Sequence, residues 1–227
     1  MIDIAQLDYN RLRVVDLSKP LDPATEQRRC KLHRHQTYIG GVEACHTHMD
    51  ITSHLGTHLE FPYHFNDQWK DGMQLPVDRC LGRGVLLNLQ SVRPRELIRC
   101  EDLDQADAGK VKAGDGVRFD SPFHSTPFVT SPDDQRPDMS EEAARWFLEK
   151  GVKCVGWGDG IAIENHIEGC IACHELLLGN DILLLEVVHN IDQLKTDTFM
   201  ITFTPLPIHG LDSCPVRVVA IEGMSRC

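Results

Sequence analysis

The chain has no apolar run approaching the roughly 20 residues that cross a bilayer. Its first residues, Met1-Ile2-Asp3-Ile4-Ala5-Gln6, lack the basic-then-apolar pattern of a secretory signal. No membrane partner is expected, and the expected location is the cytoplasm. Basic charge is also short: 23 Lys and Arg stand against 34 Asp and Glu, a formal charge of −11. That balance argues against a nucleic-acid backbone or an anionic membrane surface as partner, since either requires a basic face. A small anionic substrate stays compatible with it, because a bound cation inverts the local field. A disulfide framework is missing too. The nine cysteines are odd in number and scattered without framework spacing, which fits reduced thiols. No internal repeat and no Ser/Gly- or Pro-rich linker divides the 227 residues, so one domain over 1–227 is expected.

What is present reads as strands alternating with a few helices. Arg13 to Ser18, Gly84 to Leu89, Val117 to Phe119, Val152 to Val155, Ile182 to Val188, Met200 to Phe203 and Val216 to Ile221 are β-branched or apolar runs bounded by turn residues. Helices are predicted over Ile98 to Ala108, Ser140 to Lys150 and Ile163 to Leu178. The second is the best marked: Ser140 as N-cap, Glu141 and Glu142 in the first turn, Gly151 as the stop. The expected class is α/β (α+β), with mixed β-sheets or a barrel-like β core flanked by a few helices. Ser121 to Pro137 carries four prolines and is expected to be a flexible lid or a subunit contact.

The chemistry concentrates in Ser53-His54-Leu55-Gly56-Thr57-His58-Leu59-Glu60-Phe61-Pro62-Tyr63-His64. Its imidazoles and carboxylate fall at even positions spaced 4, 2 and 4 apart. Imidazole with carboxylate suits a borderline divalent ion, Zn²⁺ or the harder Mn²⁺. A straight strand would put His54 and His64 roughly 33 Å apart, and Gly56 and Pro62 oppose a continuous helix. An irregular bent loop is expected instead, setting His54, His58 and Glu60 around an ion with His64 beside it as an acid/base group. Further ligands must come from elsewhere. Glu186 sits inside Ile182-Leu183-Leu184-Leu185-Glu186-Val187-Val188, where a lone carboxylate costs several kcal/mol unless a cation neutralises it. His174 lies on the third predicted helix. Cys170-Ile171-Ala172-Cys173-His174 spells a haem-attachment motif, but the absence of an export signal argues for inward-packed thiols instead. His46 and His48 are read as strand residues leading into the loop, one of them expected to line the pocket. His124, His166, His189 and His209 have no partner spacing and are read as surface or packing residues.

His54-Leu55-Gly56-Thr57-His58-Leu59-Glu60-Phe61-Pro62-Tyr63-His64 resembles the HxGTHxDxPxH signature of the cyclase-like metal-dependent hydrolases, the group of bacterial kynurenine formamidases and isatin hydrolases. Val15-Asp16-Leu17-Ser18, Val111-Lys112-Ala113-Gly114-Asp115, Gly151 to Gly156, and His174-Glu175-Leu176-Leu177-Leu178 through Glu186 extend the likeness along most of the chain. The resemblance implies the swivelling β/β/α fold of that group. It implies His54, His58, Glu60, His174 and Glu186 as ligands of one or two ions, with His64 as proton donor and acceptor. Members commonly form homodimers or homotetramers that share pocket walls. Three departures stand out. The acidic position is usually Asp and here is Glu60. The pattern GxDxxSxD reads Gly156-Trp157-Gly158-Asp159-Gly160-Ile161-Ala162-Ile163-Glu164, without the Ser. Basic Arg28, Arg29, Lys31 and Arg34 stand where an aromatic residue assists kynurenine-type substrates.

The expected function is metal-dependent hydrolysis of a C–N bond in a small amide or cyclic amide, formamidase-like, with His64 as general acid/base. Two alternatives stand beside it: a silent small-molecule or metal-binding protein on the same fold, and a metal-dependent cyclase or dehydratase.

Overall fold

A run buried on both faces of a sheet is apolar throughout, whereas a half-exposed strand alternates. The four central strands are largely of the first kind, with Arg118, Asp120 and Glu186 as buried exceptions. In the computed structural model, which describes residues 8–124 and 133–224, β5 (Leu81–Asn88), β6 (Gly116–Asp120), β7 (Cys154–Gly158) and β8 (Leu183–Val188) lie parallel and in sequence order. The helices α1 (Cys100–Asp107), α2 (Glu141–Lys150) and α3 (Ile167–Leu178) connect them. Right-handed crossovers between strands laid down in one direction put all three helices on one face of the sheet. Side-chain alternation then divides the core. Val85, Leu87, Val117, Phe119, Val155 and Leu184 pack toward Ala143, Phe147 and Leu177 of the helices. Leu86, Cys154, Leu183 and Leu185 face the other way, onto Leu59, Ile201 and Phe203.

Antiparallel strands extend both margins. With β1 (Arg13–Asp16), β4 (His58–Glu60), β9 (Thr198–Thr202), β10 (Ser213–Pro215) and β11 (Val219–Glu222), the nine-stranded order is β1-β11-β9-β5-β6-β7-β8-β4-β10. This is the mixed α+β class the sequence predicts. Beyond the sheet, β2 (Cys30–Ile39) and β3 (Val42–Ile51), ten residues each, form a separate hairpin, turned at Gly40-Gly41 and exposed along nearly its whole length. Residues 125–132 of the expected Pro-rich lid or contact segment lie outside the described residues. No helix among the described residues is long and apolar enough to cross a membrane.

Helix α2 shows how local chemistry fixes an element. Ser140 Oγ accepts from the Ala143 amide at 3.0 Å and donates to the Ile98 carbonyl, and Gly151 closes the helix in the left-handed conformation with φ 65°. Ser140→Ala removes the cap and leaves the Ile98 carbonyl unpaired in a buried place. The expected cost is about 1–2 kcal/mol, read as a lower urea midpoint at unchanged slope.

Candidate metal centre

Strand β4 sits between β8 and β10, with His58 opposite Glu186 and Glu60 opposite Ser213. Period-2 alternation turns His58 and Glu60 to one side and sends Leu59 into the core on the other. The chain reaches β4 through Gly56, whose φ of 57° is left-handed; a Cβ there would lie 2.8 Å from Leu21 Cδ2. It leaves through Pro62, which opens a 3-10 turn over Pro62–His64 and brings His64 back over Glu60. The bent path expected from Gly56 and Pro62 is therefore present, with three residues of regular strand at its centre. On β8, Val187 has φ 56° next to a register shift between Gly156 and Gly158. A β-branched residue in that region is strained by about 1–3 kcal/mol. Thr57 Oγ1 holds it by donating to the Val187 carbonyl at 2.6 Å. The irregularity lies directly beside Glu186, where such features redirect a side chain.

These elements gather the residues singled out in the sequence onto one buried carboxylate. Glu60 is 2% exposed. Its Oε1 lies 3.0 Å from His54 Nδ1 and 3.7 Å from both His58 Nε2 and His64 Nε2; its Oε2 lies 3.2 Å from His174 Nε2. Glu186 Oε2 is 3.5 Å from His58 Nε2. Each of three imidazoles has its outward nitrogen engaged elsewhere. His58 Nδ1 meets the Gly56 carbonyl at 2.7 Å, His174 Nδ1 the Cys170 carbonyl at 2.8 Å, and His54 Nε2 the Asp212 carboxylate at 2.8 Å. The opposite nitrogens are thereby turned inward toward Glu60, the orientation outer partners impose on metal-binding histidines.

Asp212 is the residue the sequence does not single out. Lying just before β10, it also approaches His64 Nδ1 at 3.4 Å, so one carboxylate orients two imidazoles. Its place depends on β10 pairing with β4 across more than 150 residues, and no local spacing announces that. His46 and His48 do not join the group; they lie exposed on β3, opposite His35 and His33. His166 caps α3 by accepting from the Gly169 amide at 3.0 Å, and His209 pairs with Asp71 at 2.7 Å. Cys173 is buried and Cys170 half-buried, as inward-packed thiols.

Electrostatics show how unsettled the cluster is without a cation. Burial pushes Glu60 up, but the imidazoles of His174, His54 and His58 outweigh it and hold the carboxyl well below its usual range. Burial also depresses His174, yet the Cys170 thiol and Glu60, with the Cys170 carbonyl adding to them, carry it up to about 11. Glu186, desolvated and close to a second carboxylate, rises to about 7. His64 falls below the ordinary imidazole value, chiefly through burial. Glu60 Oε2 has no well-directed hydrogen bond despite complete burial. Among the described residues, the compact donor groups able to hold an ion are His54 with His58 and Glu60, Glu60 with His64 and His174, and His54 with His64 and Asp212. An orphaned buried carboxylate oxygen ringed by inward imidazole nitrogens fits a borderline divalent cation.

Comparison with known proteins finds relatives by sequence and by fold. Kynurenine formamidase of Salinibacter ruber is 29% identical over 181 residues, covering 74% of this chain and 76% of that protein, and that of Erythrobacter litoralis is 23% identical over 174 residues, covering 77% and 76%. Isatin hydrolase A from Labrenzia aggregata, solved with benzyl benzoate bound, superposes with a TM-score of 0.77 at 20% identity and 96% coverage of both chains. The enzyme of the same name from Ralstonia solanacearum gives 0.76 at 22% identity, covering 96% and 94%. The Cyclase family model ("Putative cyclase") matches residues 15–165, more than half of the chain and all of the loop from His54 to His64. By that match the chain belongs to the cyclase family.

Proposed function

We propose that the protein is a metal-dependent hydrolase that cleaves the C–N bond of a small amide or cyclic amide. The observation that carries the reading is the buried Glu60 carboxylate with imidazole nitrogens of His54, His58 and His174 aimed at it. The formamide and cyclic-amide specificities in the names of its relatives support the bond type. In this reading His54, His58, Glu60, His174 and Glu186 hold one or two ions, Zn²⁺ or Mn²⁺. When bound, such an ion polarises a carbonyl and brings the pKa of water toward neutrality.

The remaining work belongs to the chain's own groups. His64, about one-third exposed, stands at the mouth of the cluster. Its lowered pKa leaves it neutral near pH 7 and ready to take a proton. It accepts the proton of the attacking water as the C–O bond forms, then returns it to the nitrogen as the C–N bond breaks. Asp212 fixes its ring through Nδ1. A small cavity beside Glu186, lined by Arg136, Trp157, Asp159, Ile161, Ile163 and Glu164, offers an aromatic wall to the non-reacting part of a small substrate. Arg136 is itself held by a fork to Asp134, at 2.8 Å through Nη2.

Self-association into a dimer or tetramer belongs to the same reading. Leu32, Tyr38 and Met49 share one face of the hairpin and are 53–67% exposed, which favours a covered face. Cytoplasmic residence does too, supported by the free state of the eight cysteines among the described residues.

The test is turnover of N-formyl anilines, lactams and cyclic imides by metal-loaded protein, with product mass as readout. The expected product carries one added water, and chelation abolishes its formation. Stoichiometric metal with no turnover on the panel leaves a silent binding protein; loss of water, or no mass change, makes it a dehydratase or cyclase. A second measurement probes the residue that topology supplies. Asp212→Asn should weaken metal retention about 10–100-fold without unfolding the protein, read by competition with a chromophoric chelator.

A further inference from the structure

The hairpin β2–β3 pairs with no other strand among the described residues. Its register sets His33 opposite His48 and His35 opposite His46. Facing residues of an antiparallel pair share a side, and so do residues two apart on one strand. All four imidazoles therefore project from the same face of the ribbon, at the corners of a patch about 5 Å across and about 6.6 Å along. All four residues are exposed. The rings already adjoin: His35 and His48 have centroids 4.5 Å apart, and His46 and His48 5.4 Å apart.

Packing does not explain these histidines, because the face they occupy covers no core. Charge pairing reaches only one corner, where Asp50 and His33 attract through space. Asp50, the carboxylate at the Lys31 end of the same face, is drawn off by Arg29, whose Nε donates to it at 2.5 Å. At the other end stand Thr37 and Ala44, neither of which offers charge. The apolar Leu32, Tyr38 and Met49 lie on the opposite side, while Ile39 and Val42 share the imidazole face but stand at its turn end, beyond Thr37 and Ala44.

We infer that this face is a second metal site, separate from the centre at Glu60, that takes a borderline transition ion through imidazole nitrogen alone. A donor set without carboxylate selects Zn²⁺, Ni²⁺ or Cu²⁺ and discriminates against Mn²⁺, Mg²⁺ and Ca²⁺. The nitrogens are not gathered on one point in the structure. Gathering them to the roughly 2.0–2.1 Å that zinc requires needs only side-chain rotation of exposed residues, a motion faster than microseconds. An ion held by residues of both strands ties β2 to β3, so its binding stabilises a hairpin that no neighbouring strand supports.

The experiment uses intact protein with its catalytic centre loaded, dialysed against rising free Zn²⁺, with bound zinc counted by elemental mass spectrometry. The expected result is about one equivalent per chain beyond the centre's content. The exposed double variant His35→Ala/His48→Ala should lose that equivalent and keep both the centre's metal and the hydrolytic rate. His58→Ala should do the reverse, losing metal at the centre and keeping the hairpin's. Amide exchange in residues 30–51 should slow on adding zinc to the unsubstituted protein and stay unchanged in the double variant. Equal uptake by the unsubstituted protein and the double variant, or no uptake beyond the centre, overturns the inference. Failure of the hydrolysis assay leaves it untouched, since the two sites share no residue.

Discussion

Glu60→Gln should remove metal and activity together: retention weakened about 100-fold or more, and kcat/KM lowered on the order of 10³-fold. The substitution keeps volume and shape and deletes one negative charge at the point where four histidines converge. That charge joins Cys170 in carrying His174 up to about 11, and a bound cation would take the proton's place. Without the carboxylate, three inward imidazoles face one another across a buried space and a bound cation gains little. The backbone should be indifferent, because β4 is fixed by Leu59 in the core and by its pairing with β8 and β10. Unchanged circular dichroism with lost metal is thus the expected pair of readings. Glu60→Asp separates charge from reach. It restores the residue commonest in the family signature but withdraws the oxygens by one methylene, and it should recover most of the metal. A Glu60→Gln protein that retains both metal and rate would remove Glu60 from the centre.

The readability of this site in the sequence followed the range of the forces that build it. His54, His58, Glu60 and His64 are legible because they share one segment, with Gly56 and Pro62 marking where it must bend. Glu186 is legible because a carboxylate inside an apolar strand demands a neutralising partner. Helix α2 is legible from its caps alone. Asp212 is not legible, because its role arises only when β10 closes on β4 from the far end of the chain. The start of α3 is misplaced for a related reason. An apolar pattern extends back to Ile163, but His166 caps the helix and Asn165 is committed to Asp134 at 2.9 Å, so it begins at Ile167. The hairpin is invisible to hydrophobic patterning, since neither of its faces packs on the core. Only Gly40-Gly41 between two β-prone runs signals it.

His64→Ala should give the opposite dissociation from Glu60→Gln: metal content unchanged, rate reduced about 10²–10⁴-fold. His64 is the most exposed of the imidazoles around Glu60, whereas His58, at the same 3.7 Å from the carboxylate, is fully buried. His64 Nδ1 lies 3.4 Å from Asp212, a looser hold than the 2.8 Å Asp212 keeps on His54. Looser attachment at the mouth suits a group that must gain and lose a proton while the ligands stay fixed. Burial, with His54 and His174 adding to it, favours the neutral ring, and Glu60 and Asp212 oppose them without prevailing. The base is active when unprotonated, so activity should rise with pH through a value below the ordinary imidazole pKa of about 6.5 and then level off. In His64→Ala that acidic limb should disappear, and added imidazole should restore part of the rate. Loss of metal along with the rate would instead make His64 a ligand. The donor groups that join it to Glu60 and His174, or to His54 and Asp212, would then describe its role. The pH profile decides between the two, because a ligand substitution lowers the whole curve whereas removal of a base removes one limb of it.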